Sequence, residues 1–321
     1  MIAATYTQGQ GFRVEDRPIP GIGEGALLVR VMASSICGTD LRIIRSGQRK
    51  LRDGESVILG HEFSGIVEEV GAGVRDFRVG DRVGVAPNIG CGQCAVCVRG
   101  LPNMCPDYTA FGINIDGAHT AFVRVPREAI GQGSLVVLPE TVGFAEAALI
   151  EPLSCAVSGN RACAIELGDT VVIFGAGPIG LLHIALARQS GASTIIVVDV
   201  QPERLAQAVA FAPDIVVNSA TENVHEYVMR ATGGQGANVV ITACSVPEVQ
   251  AQSLELLAPY GRVCFFGGLP KDRSKVTLDT NLIHYKNLVV TGMTGGAPRD
   301  FRTAVTLVAS KRIDVAKVIS H

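Results

Sequence analysis

"VVIFGAGPIG", residues 171–180, runs from an unbroken apolar stretch through a glycine-rich turn into the opening of a helix. Its glycines, Gly175, Gly177 and Gly180, follow the order G-x-G-x-x-G. Alone that pattern is weak, because any tight strand-to-helix turn needs glycine for steric reasons. Context strengthens it. The next strand-like run, "STIIVVD", ends at Asp199, nineteen residues after Gly180. A carboxylate there can accept hydrogen bonds from an adenosine ribose, while the helix N-terminus at Pro178 and Ile179 receives a pyrophosphate. The candidate dinucleotide site is therefore Gly175, Gly177, Pro178, Ile179, Gly180 and Asp199. The carboxylate repels a phosphate on that ribose, so NAD is expected over NADP. Arg204, five residues on, would soften that preference if it faced the ribose; its plainer reading is a solvated helix residue. Asp199 has a plainer reading too, as a turn or capping residue.

Outward from this turn the chain keeps one rhythm. "TVVIFG", "STIIVVD", "PDIVVN", "NVVITA", "GRVCFFG" and "NLVVTG" alternate with helix-like stretches such as "GLLHIALARQSGA" and "PERLAQAVAFA". Apolar strands separated by helices predict a doubly wound parallel sheet buried on both faces. Before about residue 155 the texture differs: "ALLVRVMA", "SGIVEEVG", "DRVGVAP" and "TAFVRVP" are short β-like runs broken by glycine and proline. The expectation is an α/β protein with an irregular, mostly-β domain over 1–155, a cofactor domain over 156–288 and a return segment over 289–321.

Composition narrows the function. The 321 residues suit two domains, and 28 basic against 30 acidic side chains give a net charge of −2. No electrostatic footprint for polyanions results, so nucleic acid is excluded as an expected partner. The start, "MIAATYTQGQGF", lacks a basic flank with an apolar stretch, and no run reaches the roughly 18 apolar residues of a membrane span. A soluble, cytoplasmic protein is the expectation. In that reducing setting clustered cysteines more often hold metal than form disulfides.

Four of the nine cysteines fall within "CGQCAVCVRGLPNMC", residues 91–105. The spacing of Cys91, Cys94, Cys97 and Cys105 lets one loop fold four thiolates around a tetrahedral ion, with zinc the first candidate. Three further segments offer single donors. "SSICGTD" carries Cys37 and Thr39, "ILGHEFSG" carries His61 and Glu62, and "ALIEPLSCA" carries Glu151. A thiolate, an imidazole and a carboxylate make a three-ligand zinc site with the open position that catalysis needs. Singly, each has a plainer reading: a buried small hydrophobe, a structural histidine, a loop carboxylate.

Together, Cys-Gly-Thr-Asp, Gly-His-Glu, the four-cysteine lobe, Glu-Pro-Leu-Ser and the glycine turn, in this order, resemble the zinc-dependent medium-chain dehydrogenase/reductase family. The likeness runs the length of the chain and is strongest to its polyol (sorbitol or iditol) and threonine dehydrogenase branch. It implies a GroES-like catalytic domain followed by a Rossmann cofactor domain. It further implies catalytic zinc on Cys37, His61 and Glu151, structural zinc on the four lobe cysteines, Glu62 close to the metal, and Thr39 passing a proton outward. The activity implied is hydride transfer to NAD from a secondary alcohol of a polyol or sugar derivative. A threonine 3-dehydrogenase is the alternative, and a weakened zinc- and nucleotide-binding sensor or scaffold is the alternative of another class.

Two departures from the family pattern stand out. Where many relatives carry a histidine three residues beyond the threonine, this chain has Arg42, whose guanidinium stays charged and cannot relay protons; it can instead meet a cofactor phosphate or an anionic substrate. Relatives also continue past "DVAKVISH" with another strand and helix, so a shortened end at His321 is expected. Cys155, Cys163, Cys244 and Cys264 read as core residues, with the mouth of the cofactor site a lesser possibility for Cys244. His119 and His183 read as structural. The apolar edge of "NLVVTGM" points to a homodimer or homotetramer.

Overall fold

The structure, a computed structural model, describes residues 1–320. His321, on which the expectation of a shortened end falls, lies outside the described residues. The chain divides into two compact units: Met1–Cys155 with Gly295–Ala316, and Ala156–Thr294 with the residues from Lys317 onward.

The first unit carries, in chain order, β1 (Ile2–Thr7), β2 (Gly11–Asp16), β3 (Leu27–Ser35), α1 (Gly38–Ser46), β4 (Ser56–Ile58), β5 (Glu62–Val70), β6 (Arg82–Val85) and β7 (Asn88–Ile89). It continues through α2 (Ala95–Val98), β8 (Thr109–Ala110), β9 (Phe122–Val125), α3 (Arg127–Gly131), β10 (Leu135–Val137) and α4 (Phe144–Ala148). Helix α5 (Ile150–Cys163) crosses from the first unit into the second. Five strands form an antiparallel sheet in the order β10-β6-β5-β3-β9. Leu27, Val29, Phe63, Val67, Val83 and Val123 pack on it, and Phe63 meets Phe111 edge-on with centroids 5.6 Å apart. Each such side chain, taken out of water, contributes about 1.5–3 kcal/mol. Pairing of β3 with β5 ends at Ser35 opposite Glu62. That register places Cys37, just past the end of β3, beside His61, just before β5.

The second unit alternates β11 (Thr170–Phe174), α6 (Pro178–Gln189), β12 (Thr194–Asp199), α7 (Pro202–Ala208), β13 (Ile215–Asn218), α8 (Val224–Ala231), β14 (Ala237–Thr242), α9 (Pro247–Gln252), β15 (Leu257–Phe265), α10 (Thr280–Lys286) and β16 (Val289–Gly292). The strands make one parallel sheet in the order β13-β12-β11-β14-β15-β16. Their unbroken apolar runs are explained by burial on both faces. Val171, Ile173, Ile195 and Val197 point into one core cluster, whereas Val172, Phe174, Ile196 and Val198 point into the other, as a period of two requires. Sheet order reverses beside β11, and a crevice at the carboxyl ends of its strands is where such sheets bind ligands.

One boundary differs from the sequence reading. Val289–Gly292, read from the sequence as the last strand of this sheet, pairs in parallel with Arg262–Phe265, and the change of unit falls at Gly295, with α11 (Pro298–Ala309) following, rather than at 289.

His183, on α6, is wholly buried, with neither ring nitrogen meeting a partner among the described residues. Its ring stands edge-on to Phe266 at 4.7 Å. Burial pushes its pKa from 6.5 down to about 3. The folded chain therefore keeps it neutral while the unfolded chain protonates it, so this contribution to stability is full above pH 6.5 and is lost as pH falls towards 3. At pH 5 the loss is about 2 kcal/mol. Urea midpoints of the parent and of His183→Leu, compared at pH 7 and pH 5, are expected to show a smaller acid loss in the variant; equal losses would contradict the assignment.

Candidate active site

Cys37 caps the N-terminus of α1. His61 follows Gly60, whose φ of +94° turns the chain into β5. Glu62 opens that strand. Ligand atoms of Cys37, His61 and Glu62 lie within 4.8 Å of one another. His61 and Glu62 are 7% and 4% exposed, so neither has water to replace a missing partner. The Glu62 Oε2 accepts a short hydrogen bond from Ser35 Oγ, across the strand pair. His61 Nδ1 faces Asp40 Oδ1 at 3.6 Å, without a hydrogen bond between them. One sulfur, one nitrogen and one carboxylate oxygen, buried together, fit zinc in a site that keeps a position open.

The two carboxylates stand at different distances from this group. Glu62, expected close to the metal, has its ligand oxygen within the 4.8 Å group, and Glu151, expected as the third ligand, lies outside that limit but near enough to interact with Cys37, His61 and Glu62. Glu151 is buried alongside, on α5, and its Oε1 lies 3.5 Å from the Cys155 thiol one helical turn on. That i,i+4 contact turns its carboxylate along the helix. Burial raises Glu151 to about 7 against the opposing pull of His61, and the Glu62 carboxylate adds to the rise. Burial likewise raises Glu62 and the Cys37 thiol, with His61 opposing in both. Such a group holds protons that an incoming dication displaces.

Thr39 is the second residue of α1, half-buried beside this group, and Arg42 follows on the exposed side of the helix. Cys155 and Cys244 are only partly buried, whereas Cys163 and Cys264 sit in the core.

Cys91, Cys94, Cys97 and Cys105 also bring their sulfur atoms within 4.8 Å of one another. The Cys91 N–H points at Cys105 Sγ at 3.3 Å, and Cys94 Sγ is 3.8 Å from the same atom. Backbone N–H groups of Gln93 and Cys94 lower the Cys91 thiol to about 7, which favours the thiolate that metal binding needs. The lobe's short helix α2 buries no residue. Gln132 fastens its base through paired hydrogen bonds to Gly90, at 2.9 and 2.6 Å. Four thiolates and no apolar core are the composition of a structural zinc site.

At the cofactor turn Gly175 adopts φ +100°, and its N–H donates to Val198 O at 2.7 Å. Gly177 caps α6, with Pro178 and Ile179 the first helical residues. A side chain at Gly180 would run into the Gly175 carbonyl, so glycine is required for the close approach. Asp199 is 8% exposed. Its Oδ2 accepts from Ala176 N–H at 2.8 Å, and its Oδ1 from Val200 and Gln201 N–H at 2.7 and 3.0 Å. The carboxylate thus ties its own strand to the glycine turn and retains one acceptor position. Arg204 Nη1 lies 3.9 Å from Oδ2.

Sequence reasoning gave Asp40 no role and read His119 as structural. Asp40 stands inside the Cys-Gly-Thr-Asp motif and is 2% exposed. An acidic residue inside that motif was the available signal. His119 lies 3.4 Å from Asp40, and nothing in its surrounding sequence marks it.

Comparison with known proteins agrees with this arrangement. Residues 23–139 match the family model of the alcohol dehydrogenase GroES-like domain, and residues 178–310 match that of the zinc-binding dehydrogenases. The chain is 36% identical over 325 residues to an L-threonine 3-dehydrogenase from Pyrococcus horikoshii, covering all of this chain and 91% of that protein. It is 30% identical over 326 residues to a sorbitol dehydrogenase from Bacillus subtilis, covering 89% of it. Among solved structures, a zinc-binding dehydrogenase from Sinorhizobium meliloti bound to NADP superposes with a TM-score of 0.91 at 34% identity, over 99% of this chain and 91% of that one.

Proposed function

We infer what this chain does from the premise that it belongs to the zinc-binding medium-chain dehydrogenase/reductase family, related to the threonine and polyol dehydrogenases, and is a zinc- and NAD-dependent dehydrogenase. Its substrate is the secondary hydroxyl of a small polar molecule. L-threonine is the preferred candidate over sorbitol and other polyols. The observation that carries the dehydrogenase reading is the convergence of Cys37, His61 and Glu62. The preference for threonine is supported by relatives of that name at 36% identity against 30% for a sorbitol dehydrogenase.

When bound, zinc supplies a Lewis acid that polarises the hydroxyl, and NAD accepts the hydride. The chain's own residues do the rest. Cys37 and His61 hold the metal, and Glu62 and Glu151 are two carboxylates of which either can complete the set. A thiolate and one carboxylate already balance a dication, so the second carboxylate is the one that keeps its proton; the raised Glu151 suits that role. Thr39 carries the substrate proton outward from the first turn of α1. Arg42 cannot continue that relay, and its exposed guanidinium suits the carboxylate of an amino acid. Replacing Arg42 with alanine is expected to raise the KM for L-threonine about tenfold with kcat little changed, the scale of one hydrogen bond to a charged group. An unchanged KM would remove the contact.

Cofactor preference follows from Asp199, whose remaining acceptor suits a ribose hydroxyl and repels a 2′-phosphate. NAD is the favoured cofactor, and Arg204 beside that carboxylate allows some use of NADP. Val289 and Val290 on the edge strand β16 are 52% and 36% exposed, which supports pairing with a second copy. Sedimentation as a monomer at micromolar concentration would count against that pairing.

The activity is tested by following NAD reduction with L-threonine, sorbitol, xylitol and simple secondary alcohols at equal concentration. The highest kcat/KM is expected with L-threonine. A higher value with a polyol would move the protein to the sorbitol side of the family, and no turnover with any of them would overturn the substrate class.

A further inference from the structure

Two histidines share one buried carboxylate. Asp40 stands in the first turn of α1, where its Oδ2 accepts the Cys37 N–H at 2.9 Å and its Oδ1 accepts the Gly60 N–H at 3.3 Å. His61 Nδ1 faces Oδ1 at 3.6 Å, and His119 Nε2 faces Oδ2 at 3.4 Å. The other nitrogen of His119, Nδ1, lies 2.9 Å from Ser34 Oγ. Main-chain bonds fix His119 as well: its N–H donates to Leu59 O at 2.8 Å, and its carbonyl accepts from Ala4 N–H at 2.9 Å. Its ring fills the space above Gly60, where a Cβ would come within 2.6 Å of Nδ1.

A carboxylate offers about four acceptor positions. Two are taken by backbone N–H groups, and the other two face the imidazoles. With the Ser34 hydroxyl donating to Nδ1, His119 is the neutral tautomer that carries its proton on Nε2, aimed at Asp40. Asp40 is then fixed by its two backbone donors, with His119 Nε2 and His61 Nδ1 facing its two oxygens in ion-pair range but not hydrogen-bonded to them. We propose that His119 is a positioning residue for the metal at Cys37 and His61: acting through Asp40, it sets the orientation and donor strength of the His61 ring, and Ser34 sets the tautomer in which it does so. The inference rests on Cys37 and His61 being ligands.

The test is zinc release from the full-length zinc-loaded protein into graded chelator, with visible absorption of the cobalt(II)-substituted protein as a second readout. The parent is expected to release its two ions at separate chelator concentrations. In His119→Phe the ion at Cys37 and His61 is expected to bind several-fold more weakly, less than the roughly 10- to 100-fold cost of losing a direct outer partner of a ligating histidine, because His119 acts through Asp40. Its cobalt bands are expected to shift while the lobe ion is unaffected. His119→Gln, which can accept from Ser34 and donate to Asp40, should recover most of that affinity. Ser34→Ala should show a smaller loss in the same site.

Zinc release within twofold of the parent in His119→Phe, with unmoved cobalt bands, would overturn the proposal. So would a His119→Gln variant no better than His119→Phe. If His119→Phe does not fold, Ser34→Ala decides: parental zinc release and cobalt bands there contradict the proposal. A parent that holds only the lobe ion would instead overturn the ligand reading itself.

Discussion

Replacing His61 with alanine is expected to lower kcat/KM by about 10⁴-fold, because the several kcal/mol that a metal contributes to the developing charge are lost with it. His61 is the one imidazole of the convergent group. The variant should bind one zinc per chain rather than two. The loss should appear in kcat as well as in KM, since the metal acts on the reacting hydroxyl and not on remote parts of the substrate. Asp40, 2% exposed, would lose one imidazole facing it but keep its two backbone donors, so the fold is expected to survive. A His61→Ala protein with parental turnover would mean that the reaction does not use this site.

Cys94→Ser is expected to have the opposite pattern: a large loss of order with little change in chemistry. Residues 91–105 contain one short helix that buries nothing and a turn of 3-10 helix in which only Pro102 is buried. No apolar core holds that lobe, whereas a structural zinc site contributes on the order of 10 kcal/mol. Without the fourth thiolate the segment should become the first target of limited proteolysis, and thermal inactivation should come at a markedly lower temperature. The sulfur cluster and the Cys37–His61 group are separate sets of residues, so kcat measured at low temperature should stay within a few-fold of the parent. Resistance to protease equal to the parent's would show that the lobe does not depend on a metal.

How far the sequence could be read depended on the range of the interaction. The parallel sheet was legible because burial on both faces leaves a local trace, unbroken apolar runs such as "TVVIFG" and "STIIVVD". The cysteine lobe was legible because all four sulfurs come from one loop. Cys37 and His61 each stood in a short motif, and the β3–β5 pairing that brings them side by side ends at Ser35 opposite Glu62. Three features were not legible. The relative places of Glu62 and Glu151 depend on side-chain contacts with Ser35 and Cys155, which no spacing encodes. The return of the chain to the first unit at Gly295 carries no local mark. His119 reaches Asp40 only because the 117–119 segment hydrogen-bonds along Ile58–Gly60, a pairing between loops that carries no periodic pattern.

The raised carboxyl and thiol groups give the site a pH signature. Cys37 and His61, both held with raised pKa, must each lose a proton to bind metal, and so must whichever of Glu62 and Glu151 ligates. Zinc uptake into the metal-free protein should therefore strengthen as pH rises from 6 to 8, by about tenfold per unit for each proton released. Calorimetry in two buffers of different ionisation enthalpy would count those protons; uptake that does not change with pH would contradict the buried, protonated state of these groups.

The most direct measurement is an anomalous difference map at the zinc edge, from crystals of the zinc-loaded protein grown with NAD. Two peaks per chain are expected. One should lie about 2.3 Å from the sulfur of Cys37 and about 2.0–2.1 Å from a ring nitrogen of His61, with a carboxylate oxygen of Glu62 or Glu151 completing the set, and the other among the four lobe cysteines. A peak in the lobe with none at Cys37 and His61 would contradict the account.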